Sequence, residues 1–213
     1  MTHKTMHAGE DFPHLLCGLA YMYDTMFFLE LSDGDRIGHG TAMGIDPSLW
    51  IRRMPQEVLV KQGEWFLSLL ATRQLALKCP DGLKTALVKI EADIQLLSLD
   101  LFGESLSPFD CEQAMKLRGL SLPELNRFMP DPSKYNTYVL ASDYLASEIE
   151  LIKEQYRKNK VALERLWKWQ SDPDLWNKSE AFISVESQYL SDSDYLLLQQ
   201  SLMNEVNSRG VVI

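Results

Sequence analysis

The sequence predicts a parallel α/β unit interrupted by a long helical insertion, so that most of the chain is helical. Three observations carry this. Residues 1–50 hold a short extended piece, a helix and a second short strand within about 35 residues, the spacing of a βαβ unit with parallel strands side by side. Residues 51–189 repeat apolar positions at intervals alternating between four and three, a rhythm that packs helix on helix. Residues 190–213 read as a helix ended by Arg209-Gly210 and followed by the β-branched run Val211-Val212-Ile213, the start of a buried strand.

The elements follow in order. Pro13 closes the first loop, and Leu15, Leu16, Leu19, Met22, Tyr23, Met26, Phe27 and Leu31 recur at helical spacing. Ser32-Asp33-Gly34 is expected to stop that helix. Arg36-Ile37-Gly38-His39-Gly40 is a brief strand running into a loop. In the insertion, Gln56–Lys78 and Gly82–Phe102 flank Cys79-Pro80-Asp81-Gly82, which predicts an antiparallel helical hairpin. Leu83, Leu87, Ile90, Ile94, Leu97 and Leu101 form the stripe of its second helix. A longer helix over about Tyr138–Gln170 carries Leu145, Ile149, Ile152, Tyr156, Asn159, Leu163 and Leu166. The segment is expected to be helical throughout. Its stripes read as bundle core, with a docking face for a partner subunit as the other reading.

Composition narrows the function. With 213 residues, 46% hydrophobic and 24% charged, the chain is globular rather than disordered, collagenous or disulfide-stapled. The 21 basic and 30 acidic residues give a net charge of -9, which argues against nucleic acid as partner. The locally basic run from Lys153 to Lys168, with Trp167 and Trp169 beside it, is interrupted by Glu154 and Glu164 and reads as a solvated helix face. Cys17, Cys79 and Cys111 are odd in number and lack any C-x-x-C, so a reducing cytoplasm is the expected location. No membrane span is expected, because Asp24 and Glu30 break the apolar run Leu15–Leu31. Met1–Pro13 is too charged for a signal peptide. Both ends break off abruptly, which reads as an interior portion of a longer protein.

The chemistry sits in two short motifs. His7-Ala8-Gly9-Glu10 offers an imidazole and, three residues on, a carboxylate; both are metal-site chemistry. His39 stands between Gly38 and Gly40, and missing side-chain bulk lets a ligand or metal approach closely. Either motif alone is weak. Together they are 32 positions apart, one βα step, each at the carboxyl end of a strand. Neighbouring strands lie about 4.8 Å apart, so both imidazoles would project into one pocket. His14, after Pro13 at a helix start, reads as a cap or packing residue. Met115–Ser121 has a faint helix-turn-helix look but no basic recognition helix.

His-Ala-Gly-Glu, a helix, then Asp35-Arg36-Ile37-Gly38-His39-Gly40 resembles the fifth and sixth strand ends of the adenosine deaminase family. The resemblance continues through Thr41-Ala42 and Ile45-Asp46-Pro47, and resumes over Asn204–Ile213 as the approach to a seventh strand. It implies that residues 1–50 and 190–213 are a partial (β/α)8 barrel segment and 51–189 a helical insertion. The insertion is similar to that of the deaminase subunits of RADAR antiphage defence systems, self-assembling relatives that work beside an AAA-type ATPase. The resemblance further implies that the protein is a zinc-dependent hydrolase converting adenosine or an adenine nucleotide to the inosine form. His7 would be the metal ligand, Gly9 would contact substrate, Glu10 would protonate the purine ring, and His39 would take the proton of the attacking water. The family also uses a His-x-His and an Asp-Asp, and neither occurs here, so this chain alone is expected to lack a complete zinc site. The rival readings are a non-enzymatic helical assembly subunit and a metal-dependent hydrolase acting on another ring amine.

Overall fold

The first strand, β1 (Thr5–Ala8), turns at Gly9, and helix α1 (Leu15–Phe28) begins at His14. This computed structural model describes residues 3–79, 82–116, 154, 157–169 and 172–213. The helix ends at Phe28, earlier than the Ser32-Asp33-Gly34 stop, because Glu30 turns into the left-handed region at φ 48°. β2 (Arg36–His39) then pairs parallel to β1, with His7 opposite Gly38 and Ala8 opposite His39. Ala8 and Ile37 are buried, whereas Thr5, His7 and Arg36 are exposed, so one face of the pair packs inward and the other carries the histidine. Asp35 fixes the strand starts, because its carboxylate accepts the Lys4 N–H at 2.7 Å and the Ser32 N–H at 2.9 Å. Those two donors hold its pKa below the ordinary carboxylate value.

Short helices α2 (Thr41–Gly44) and α3 (Pro47–Arg53) follow. Asp46 caps α3 by accepting the Ser48 and Leu49 N–H groups, with Pro47 in the first turn. Next, the structure corrects an expectation. Residues 57–61 form β3 (Glu57–Lys61), and helix α4 (Gln62–Leu77) starts only after it. β3 pairs antiparallel with β4 (Phe182–Glu186), joining Glu57 to Glu186 and Lys61 to Phe182. The insertion is therefore not helical throughout. Val58, Val60, Ile183 and Val185 turn inward while Leu59, Phe182 and Ser184 face outward, a period-two alternation satisfied only by a partner more than a hundred residues away.

α4 lies at the centre, against α1, α5 (Lys84–Phe102), α8 (Pro173–Glu180) and α9 (Asp192–Ser208). Trp65, Phe66, Leu69, Leu70, Leu75 and Ala76 bury nearly all round it, as a helix enclosed on several sides requires. Its buried hydroxyls stay satisfied within the helix, Ser68 donating to the Glu64 carbonyl and Thr72 to that of Ser68. Leu83, Ile90, Ile94 and Leu101 are buried, with Leu87 and Leu97 packed partly against the same core, so the α5 stripe is bundle core. The hairpin turn residues 80 and 81 lie outside the described residues.

α6 (Pro108–Lys116) packs on α7 (Lys160–Lys168). The expected long helix does not run unbroken through Asn159, which is the non-helical cap of α7. The stripe positions Leu145, Ile149, Ile152 and Tyr156, and the Met115–Ser121 segment past Lys116, lie outside the described residues. Lys158 with Glu154, Lys160 with Glu164 and Arg165 with Glu104 form ion pairs on the basic run, as a solvated face does. α9 opens on a capping box between Ser191 and Asp194 and ends at Arg209-Gly210 as the sequence predicts. Val212 then bridges parallel to Arg36, with Ile37 donating to the Val212 carbonyl at 2.8 Å, so the last residues extend the β1–β2 pair on the β2 side.

His14 is the cap and packing residue the sequence suggests. Its Nδ1 accepts from Leu16, and its ring is enclosed by Trp50, Trp65 and Tyr195. No described helix is long and apolar enough to cross a membrane.

Candidate functional site

The parallel register decides which side chains meet. With Ala8 opposite His39, the chain leaves β1 and β2 at the same level. Two backbone bonds lock the departing loops together: Gly40 N–H donates to the Ala8 carbonyl at 3.2 Å, and Ala42 N–H donates to the Gly9 carbonyl at 2.8 Å. Gly9 makes its turn at φ +80°, and a Cβ there would lie 2.8 Å from Met22 of α1. The turn thus presses against the helix while lifting Glu10 toward the strand ends.

The result is a cluster of His7, Glu10 and His39 whose ligand atoms all lie within 4.8 Å of one another. The two imidazoles meet edge to face, centroids 4.8 Å apart and planes at 78°. Glu10 Oε2 is buried and has no hydrogen-bond partner in the structure. A buried carboxylate oxygen left unpartnered is costly unless a cation or proton satisfies it. Two imidazoles and a carboxylate are also a donor set that zinc accepts. In donor type and spacing, these residues therefore fit a metal ion.

His39 sits at φ +70°, where a side chain with a Cβ costs on the order of 1 kcal/mol. Strain of this sort persists where surrounding structure dictates it, and it clusters at working sites. The surroundings here are visible. A Cβ on Gly40 would lie 2.7 Å from Ile213 Cγ2, so the C-terminal residues press on the turn that presents His39.

The flanking glycines differ from the sequence reading in one respect. They make room for protein side chains: Gly38 faces the His7 ring and Gly40 faces Ile213. His7, Gly9 and Glu10 line a depression of about 470 Å³ bounded by Tyr21, Asp24 and Phe28 of α1. A second cavity of about 490 Å³, between α1, α4 and α8, includes none of the three cluster residues in its lining. Asp35, whose carboxylate sets the strand register, carries no signal in the sequence beyond its place before the Arg-Ile-Gly-His run. Likewise, the Ile213 contact depends on a residue with no motif of its own.

No protein-family model and no curated protein matches this chain.

Proposed function

We propose that the chain is part of a zinc-dependent hydrolase that deaminates adenosine or an adenine nucleotide to the inosine form. The convergence of His7, Glu10 and His39 at two adjoining parallel strand ends carries this reading. The β1–β2 pair, with Val212 alongside β2, supports three neighbouring strands of a partial (β/α)8 barrel. Zinc, when bound, supplies Lewis acidity that lowers the pKa of water to about 7. His7 holds the ion through a ring nitrogen. Protonated Glu10 donates to the purine ring nitrogen beside the amine-bearing carbon and makes that carbon more electrophilic. His39 accepts a proton from the attacking water and stabilises the charge that develops. Gly9, whose backbone lines the depression beside His7 and Glu10, contacts the substrate.

On this assignment Glu10 and His39 are reserved for proton transfer. His7 is then a single ligand where catalytic zinc takes three, and the chain by itself provides an incomplete zinc site. The free, buried Cys17, Cys79 and Cys111 support a cytoplasmic location. Work in antiphage defence, as a homo-oligomer beside an AAA-type ATPase, is part of the same proposal and rests on the resemblance of the insertion.

One observation favours the reading of a non-catalytic assembly subunit. Val88, Leu96 and Leu99 of α5 are exposed at 70%, 64% and 50%, and their spacing places them along one apolar stripe, opposite the buried one.

The test is zinc content and ammonia release from the longest natural reading frame that includes this sequence, with and without His7→Ala and Glu10→Gln. Zinc lost on His7→Ala, and ammonia released from adenosine, ATP or dATP but not by Glu10→Gln, support the deaminase. Zinc retained unchanged by His7→Ala removes the ligand assignment. Release only from guanine or a pyrimidine indicates a hydrolase of another ring amine. No release from any of them favours the assembly subunit.

A further inference from the structure

We propose that Gly38 is a positioning residue for His7, the seat across which its imidazole lies. The inference deepens the metal-site reading and rests on it. His7 and Gly38 are direct partners in the parallel register. A Cβ at position 38 would lie 2.7 Å from His7 Cδ2, 3.0 Å from Nε2 and 3.4 Å from Cγ. Real Cβ atoms do not approach that closely, so the ring would have to swing aside.

Among the described residues, no backbone feature asks for glycine at 38. Gly38 is absent from the positive-φ glycines of the chain, whereas Gly9 and Gly40 are among them. A strand residue with ordinary φ accepts alanine in its backbone. The three side-chain atoms nearest the missing methyl group all belong to His7. Gly38 thus holds open the one orientation in which the His7 ring meets His39 edge to face, with Glu10 within reach. It touches no substrate and acts through the imidazole.

The probe is cobalt(II) bound to the longest natural reading frame that includes this sequence, its visible absorption reporting ligand geometry, combined with unfolding of Gly38→Ala, His7→Ala and the double variant. Gly38→Ala is expected to weaken cobalt binding about 10- to 100-fold, the range seen when supports of a metal ligand are removed, and to change the absorption bands. It is also expected to lower the unfolding midpoint in the His7 chain but not in the His7→Ala chain, where the space is vacant. Should Gly38→Ala not fold, rescue by His7→Ala gives the same answer. Native cobalt affinity and spectrum in Gly38→Ala, or equal destabilisation in both backgrounds, overturns the seat and leaves the metal reading intact. No cobalt binding by that unaltered reading frame overturns the metal reading instead, and the unfolding cycle then decides the seat by itself.

Discussion

His14 Nε2 lies 3.2 Å from the backbone carbonyl of Glu186, tying the start of α1 to the end of β4. Because Nδ1 accepts the Leu16 N–H at 3.1 Å, the ring proton sits on Nε2 and donates to that carbonyl, which leaves the imidazole neutral. Burial lowers the His14 pKa from 6.5 to about 4, against the opposing pull of its carbonyl partners. The unfolded chain therefore takes up this proton first as pH falls. The resulting stability is complete above about pH 6.5 and is lost between there and about pH 4, by roughly 3 kcal/mol. Urea midpoints of the unaltered chain and of His14→Gln, followed from pH 7.5 to 4.5, check this. Parallel curves for the two proteins would exclude His14 as the cause.

Arg73 of α4 places Nη1 2.7 Å from Glu112 Oε2 and donates through Nε to Glu91 at 2.7 Å. The Arg73 and Glu112 side chains are only 12% and 6% exposed. Removing Glu112 leaves the buried Arg73 charge with Glu91 in place of two carboxylates, so Glu112→Ala should cost up to about 3 kcal/mol. Converting both to methionine should recover most of that loss. A double variant less stable than Glu112→Ala would show that the ion pair itself is the stabilising element.

Strain at His39 predicts a trade between stability and function. His39→Gly relieves the backbone at φ +70° and is expected to raise stability by up to about 1 kcal/mol. His39→Ala keeps the strained backbone and gains nothing. On the proposed deaminase reading, both should abolish ammonia release. Calorimetric melting of the pair decides it, and a His39→Gly protein that melts no higher than His39→Ala refutes stored strain.

Removing residues 211–213 deletes the Ile37-to-Val212 bond of 2.8 Å and the Val212-to-Asp35 bond of 2.9 Å, and it exposes the pocket of buried Val211. The expected loss is about 2 kcal/mol or more. Hydrogen exchange at the Ile37 amide should rise sharply, since its acceptor is gone. Unchanged protection of that amide would mean that the C-terminal bridge contributes nothing to β2.

The elements with local signals were legible in the sequence. Arg209-Gly210, read as the stop of the last helix, is a cap whose partners lie within a few residues, so propensity and hydrogen bonding agree on the spot. β3 was misread as helix because Glu57–Lys61 is short and runs directly into the apolar rhythm of α4. Only its distant partner β4 chooses strand. The same holds for the site. Its side chains were legible from type and spacing, whereas Asp35, Ile213 and the function of Gly38 were not, since each acts through a contact made after folding.

The sequence by itself determined the strand–helix–strand order, the end of α9 and the residues able to carry metal or proton chemistry, because these depend on neighbours along the chain. The tertiary structure alone decided that β3 pairs with β4, that His39 is held at positive φ, and that a Glu10 carboxylate oxygen lies within 4.8 Å of nitrogens from two imidazoles. Those features arise from contacts between residues far apart in sequence, whose free energy exists only once the pieces are packed.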